Sequence, residues 1–170
     1  MLFRSTFAAI PYRPAVLAAK GLVFSAITFV VGEAVSFVAF VIGQSILSGH
    51  TPTASLSDPS ALRAVIGAGL YLVVLGLFAL GLATIIHHTA ASISAFVGSL
   101  FVLPIIAAVL PSSFSDDVSR FLPQQIGTVM TTANYHGTDP FSAWAGLAIL
   151  GGYAAAALVI GGVLLVRRDA

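Results

Sequence analysis

Apolar residues along this chain neither alternate strictly nor keep to one helical stripe; they run on. Four runs pass with hardly an interruption, over residues 21–47, 62–86, 90–110 and 141–166. Each meets or exceeds the about 20 residues that a helix needs to cross a bilayer. Strands of an outer-membrane barrel would instead alternate over about 10 residues. The pattern predicts an all-α fold: a polytopic membrane protein with four transmembrane helices, forming a single domain over residues 1–170.

The connections between the runs are unequal. Residues 48–61 are polar and rich in Ser, Thr and Pro, whereas only His87, His88 and Thr89 separate the second run from the third. Two further segments show helical periodicity. In residues 111–140, Phe114, Val118, Phe121 and Leu122 recur at i, i+4, i+7 and i+8. Ser115, Asp116 and Asp117 supply a start, Pro123 a stop, and Ile126, Val129 and Met130 form a second patch. This predicts two short helices over 112–132, lying on or dipping into the membrane surface, as a lid or as part of a closable pathway. Near the N-terminus, Phe3, Phe7 and Ile10 share one helical face before Pro11 and Pro14.

Composition agrees with the runs. Hydrophobic residues make up 58% of the 170 residues and charged ones 8%, with mean hydropathy +1.05. A soluble domain carries about 25% charged residues. A surface this poor in charge must face lipid. The net charge of +1 says nothing useful about nucleic acid, and with no basic stripe outside the ends of the apolar runs no nucleic-acid partner is expected. With no cysteine in the chain, disulfides, thiolate metal sites and a Cys nucleophile are excluded.

Charge also orients the spans. Four crossings put the N-terminus, the His87–His88 hairpin and the C-terminus on one side, with Arg4, Arg13, Lys20, Arg167 and Arg168. The other side holds Arg63 and Arg120 together with Asp58, Asp116, Asp117 and Asp139. Basic loops mark the cytoplasm, so both chain ends are expected there, with 48–61 and 111–140 outside. A cleavable secretory signal does not fit, because its apolar core is about 7–15 residues and the first run is nearly twice that.

Candidate chemistry is sparse. Glu33 is the one acid within a span, and an ionisable residue at that depth is costly and marks a candidate functional site. At 100° per residue, Ser25, Gly32, Ser36 and Gly43 form a narrow stripe, with Glu33 and Gln44 beside it. Such stripes let helices approach closely. Glu33 is thus an acid tying helices together, a proton- or substrate-handling group, or a residue beside a watery vestibule. His87 and His88 are adjacent, so they point about 100° apart, unlike the i, i+4 pairs of helical zinc sites. Helix capping and headgroup contact suit them better. Gly69, Gly76 and Ala83, seven apart, and the cluster Gly151, Gly152, Ala155 and Ala156 predict close helix packing, and Pro104 predicts a kink in the third span. No nucleophile elbow, zincin motif or phosphate-cradling loop is present, and the one lysine, Lys20, lies in "AVLAAKG". Neither an enzymatic activity nor a cofactor is expected.

The order of features resembles a known family. A basic segment ending "PAVLAAK" precedes a long span, then a polar loop and span in "SLSDPSALRAVIGAGLYL", a tight hairpin "IIHHTAASIS", and a span ending "FVLPIIAAVLPSSF". The amphipathic "VSRFLPQQIG" and a final span ending "LLVRRDA" complete the run. Taken together, this is similar to the permease subunits of bacterial ABC exporters of the ABC-2 type. The resemblance implies a plasma-membrane dimer of two permease chains, identical or not, embedded in lipid and driven by a separate ABC ATPase. It implies that residues 3–13 are the helix docking into the ATPase, with Phe3, Phe7 and Ile10 in its cleft and Arg4 and Arg13 on its acidic rim. It makes 112–132 an outer re-entrant hairpin. Six spans are usual in that family, so the resemblance also implies that this chain is its C-terminal four-span portion. A non-transporting four-helix protein, such as an immunity or assembly factor, is the alternative.

Overall fold

The computed structural model describes residues 13–47, 57–109, 118–132 and 142–167. Phe3, Arg4, Phe7 and Ile10, with the amphipathic segment they define, lie outside the described residues, as do 111–117 and 133–140 of the outer segment. The described residues are all-helical, and four helices are long and apolar enough to cross a membrane. The chain is a multi-pass membrane protein.

Helix α1 spans Arg13–Leu47, its 35 residues making a rod of about 52 Å. It begins eight residues before the apolar run, because Pro14 falls in the first turn, where an N–H has no intrahelical partner. Residues 15–20 therefore continue the first span and are not a separate, proline-broken element. Helix α2 (Pro59–Ile86) starts at Asp58, whose Oδ1 accepts hydrogen bonds from Ser60 N at 3.0 Å and Ser60 Oγ at 2.9 Å. These donors favour the ionised carboxylate and hold Asp58 below the ordinary carboxylate range. A depressed folded-state value stabilises the helix start above the ordinary range and loses that contribution as pH falls through the folded value. Acidification is expected to lower the melting temperature in detergent, and Asp58→Asn, which keeps an acceptor, to reduce that acid-side slope. An unchanged slope would refute the role.

The turn into helix α3 (Thr89–Val109) is made by the two histidines. His87 adopts φ 60°, a left-handed conformation, and closes α2 through its N–H to Ala83 O at 3.2 Å. His88 then caps α3 through its carbonyl, which accepts from both Ser92 N and Ser92 Oγ at 2.8 Å. The capping expected of the pair is thus carried by backbone groups together with the His87 ring, whose Nδ1 lies 3.1 Å from Ile85 O. Within α3, residues Gly98–Val102 form a wider π-type turn, closed by Leu103 N–H to Gly98 O. The turn ends two residues before Pro104, which has no N–H and whose ring crowds the carbonyl four residues back. The irregularity expected from Pro104 is this turn.

Helix α4 (Pro123–Thr131) begins at the proline expected to stop a helix: as the first helical residue, Pro123 needs no N–H partner. Just ahead, Phe121 N–H bonds Val118 O and Leu122 N–H bonds Ser119 O, both at 3.1 Å, making a tight turn. Helix α5 (Ala143–Arg167) is capped by Ser142, which accepts from Ala145 N at 3.3 Å.

Helix α2 is the hub. It packs most extensively on α5, then on α1, and also touches α3 and α4. Small residues make the α2–α5 seam: a methyl built on Gly81 would lie 2.6 Å from Ala157 Cβ, and Gly161 accommodates the Thr84 side chain. The buried face of α5 is Ala143, Gly146, Leu150, Ala154, Ala157 and Gly161. The expected cluster of Gly151, Gly152, Ala155 and Ala156 is not that face: nothing lies within 4 Å of a methyl built on Gly151 or Gly152, and Ala155 and Ala156 are exposed. The outer surfaces of α1, α3 and α5 carry exposed Leu, Ile, Val and Phe, as lipid-facing helices do.

A candidate buried site at the α1–α2 seam

The α1–α2 contact is built on glycines. Gly32 is buried, and a methyl there would lie 3.5 Å from Gly69 Cα and 3.7 Å from Gly69 O. Two turns along, Gly76 receives the ring of Phe24, while Gly21 meets Leu77 and Leu80. Gly69 and Gly76 therefore do mediate close packing, against α1. Ala83, third in that expected series, is exposed and lines an open groove.

Glu33 occupies this seam. Its side chain lies directly on the bare backbone of Gly69, where a methyl would come within 2.6 Å of Cδ and 2.9 Å of Cγ. Glu33 is half-buried, and its Oε1 is buried with no hydrogen-bond partner among the described residues. Gln44 Oε1 is likewise buried without a partner. The two share a side of α1 but stand eleven residues, about 16 Å, apart along it, so they do not form one site. The small-residue stripe divides in the same way. Ser25 donates to Gly21 O at 2.7 Å within the packed half, whereas Gly43 has nothing within 4 Å. Of the expected docking residues, Arg13 is described as the first residue of α1.

At the far end of the bundle, α4 is locked down by long-range contacts whose partners no local sequence pattern marks. Tyr71 OH donates to Pro123 O at 3.1 Å, and Arg63 Nη2 donates to Thr132 O at 3.0 Å. The Tyr71 ring crosses Gly127, and Met130, fully buried, lies over Gly67. An arginine and a tyrosine inside an apolar run were the available signal for these clamps. Ile126 and Met130 of the amphipathic pattern are buried, so α4 is part of the helix core at that end.

Two apolar grooves flank the seam. One of about 710 Å³ lies between the start of α1 and the end of α5, lined by Leu17, Leu22, Val159, Val163 and Arg167. The other, about 390 Å³, lies among α1, α2 and α3, with His87 at its rim. No group of three or more metal-ligating side chains occurs among the described residues.

No family model matches the sequence, and comparison with curated proteins and with solved structures gives no match.

Proposed function

We propose that this chain is the membrane-spanning permease component of an ATP-driven exporter of the ABC-2 type, working with a separate ABC ATPase and a second permease chain. The observation that carries this reading is the place of α4. A short helix docked on α2 and α5 and preceding the last span supports it, since the resemblance implies a re-entrant pair of short helices over 112–132. It lies at the end of the bundle opposite Lys20 and Arg167, because Leu17 of α1 and Gly162 of α5 approach each other at the other end. By the excess of basic residues, the Lys20–Arg167 end faces the cytoplasm of a bacterial plasma membrane.

Helix α1 suits transmission. It runs unbroken from Arg13, next to the docking segment, through the Glu33–Gly69 seam. A push on residues 3–13 by a closing ATPase would be carried along a rigid rod into the α1–α2 contact. The test is co-purification with a candidate ABC ATPase from the same organism and measurement of ATP hydrolysis in liposomes. The permease is expected to stimulate hydrolysis, and Phe7→Asp to abolish stimulation while leaving the chain folded. A chain that neither binds nor stimulates such an ATPase would instead be a non-transporting four-helix protein.

A further inference from the structure

We propose that Glu33 is a proton-binding site inside the membrane, occupied while α1 and α2 are packed. This does not depend on the transport reading. Gly69 lies ten residues into α2, about 15 Å from its first turn and about 25 Å from its last. The carboxyl resting on it is therefore within the hydrocarbon layer. An ionised carboxylate there needs a cation or several donors to replace water. Glu33 Oε1 has no hydrogen-bond partner among the described residues.

Among the described residues, no counter-charge is seen against Glu33. Along α2 the charged and titratable side chains are Arg63 and Tyr71, and both reach toward α4, to Thr132 O and Pro123 O. Helix α5 touches α1 near Leu17 and carries Arg167 at that distant end. On α1 itself, the basic residues Arg13 and Lys20 precede Glu33 by 20 and 13 residues. The seat is also shaped for an uncharged group: bare Gly69 backbone beneath and Gly32 beside it. A neutral acid occupies that seam at far lower cost than its carboxylate. It keeps one oxygen in the seam, and its proton leaves when α1 and α2 part and water enters.

The experiment uses the full chain in liposomes and two carbodiimides, dicyclohexylcarbodiimide, which dissolves in lipid, and a charged water-soluble analogue. Both react with the acid form. The carboxyl proton moves to a carbodiimide nitrogen as the oxygen adds to the central carbon, and the adduct rearranges to a stable N-acylurea detectable by peptide mass spectrometry. At neutral pH the lipid-soluble reagent is expected to label Glu33 about tenfold more than the water-soluble one. Labelling should be as complete as at mildly acidic pH, and Glu33→Gln should remove it. Absence of Glu33 labelling, labelling confined to acidic pH, or equal labelling by both reagents would overturn the proposal.

Discussion

Gly81→Ala will cost the chain about 1–3 kcal/mol of stability, although it adds only one methyl to a membrane helix. That methyl would lie 2.6 Å from Ala157 Cβ, 2.9 Å from Ala157 C and 3.0 Å from Leu158 N. Two of these three atoms are backbone, so no rotamer change relieves the clash and α2 and α5 must separate. In a bilayer no hydrophobic drive holds helices together; van der Waals contact does most of the work, and separation forfeits it along the seam. The control is Gly151→Ala, the same chemical change on the open face of α5, with nothing within 4 Å. It is expected to be neutral or to gain about 0.5–1 kcal/mol from reduced backbone entropy. Reversible unfolding in mixed detergent micelles measures both. Equal costs for the two substitutions would refute this account of the α2–α5 seam.

Met130→Ala is the second large effect, at about 2–5 kcal/mol. Met130 is fully exposed to neither lipid nor water; its relative exposure is 0%. Its side chain fills the space that a methyl on Gly67 would enter, 2.7 Å from Cε and 2.8 Å from Cγ. Truncation leaves a cavity under α4, and the Tyr71 and Arg63 hydrogen bonds then hold a helix with no anchor. The reverse change, Gly67→Ala, overfills the same space. The double variant is expected to recover part of the loss, because each change makes room for or occupies what the other alters. Protease cleavage between 118 and 132, together with melting temperature, reads the outcome. Strict additivity of the two losses would show that Met130 and Gly67 do not share this contact.

The candidate site was half legible. Glu33 announced itself because one carboxyl stands within a long apolar run, and the need to shield it is a property of the bilayer. Its seat was not legible, because the pairing of Glu33 with Gly69 depends on how two helices are rotated and staggered against each other. Gly69 had been noted only for its spacing from Gly76. The roles of Tyr71 and Arg63 were not legible, because their hydrogen bonds reach 52 and 69 residues along the chain. No local periodicity carries such a partner. Pro123 follows the end of one short helical stretch and is also the first residue of the next helix, a second role that its place in the pattern does not distinguish.

What the sequence alone determined are the features that physics decides locally. A helix crosses a bilayer because a sufficient run of its residues is apolar and its backbone hydrogen bonds close within the segment. Four spans and their hairpin at His87 and His88 follow from neighbours in the chain, whereas the second helix starts at Pro59, inside the segment 48–61 read as a loop. Tertiary structure decided which face of each helix is inside. Spans that are apolar on every side have no polar face to point outward. The choice between Gly151 with Gly152 and Gly146 with Gly161 therefore had no signature in the pattern. It rests on which small residues let two backbones meet, and that is known only once Gly81 lies against Ala157 and Gly69 beneath Glu33.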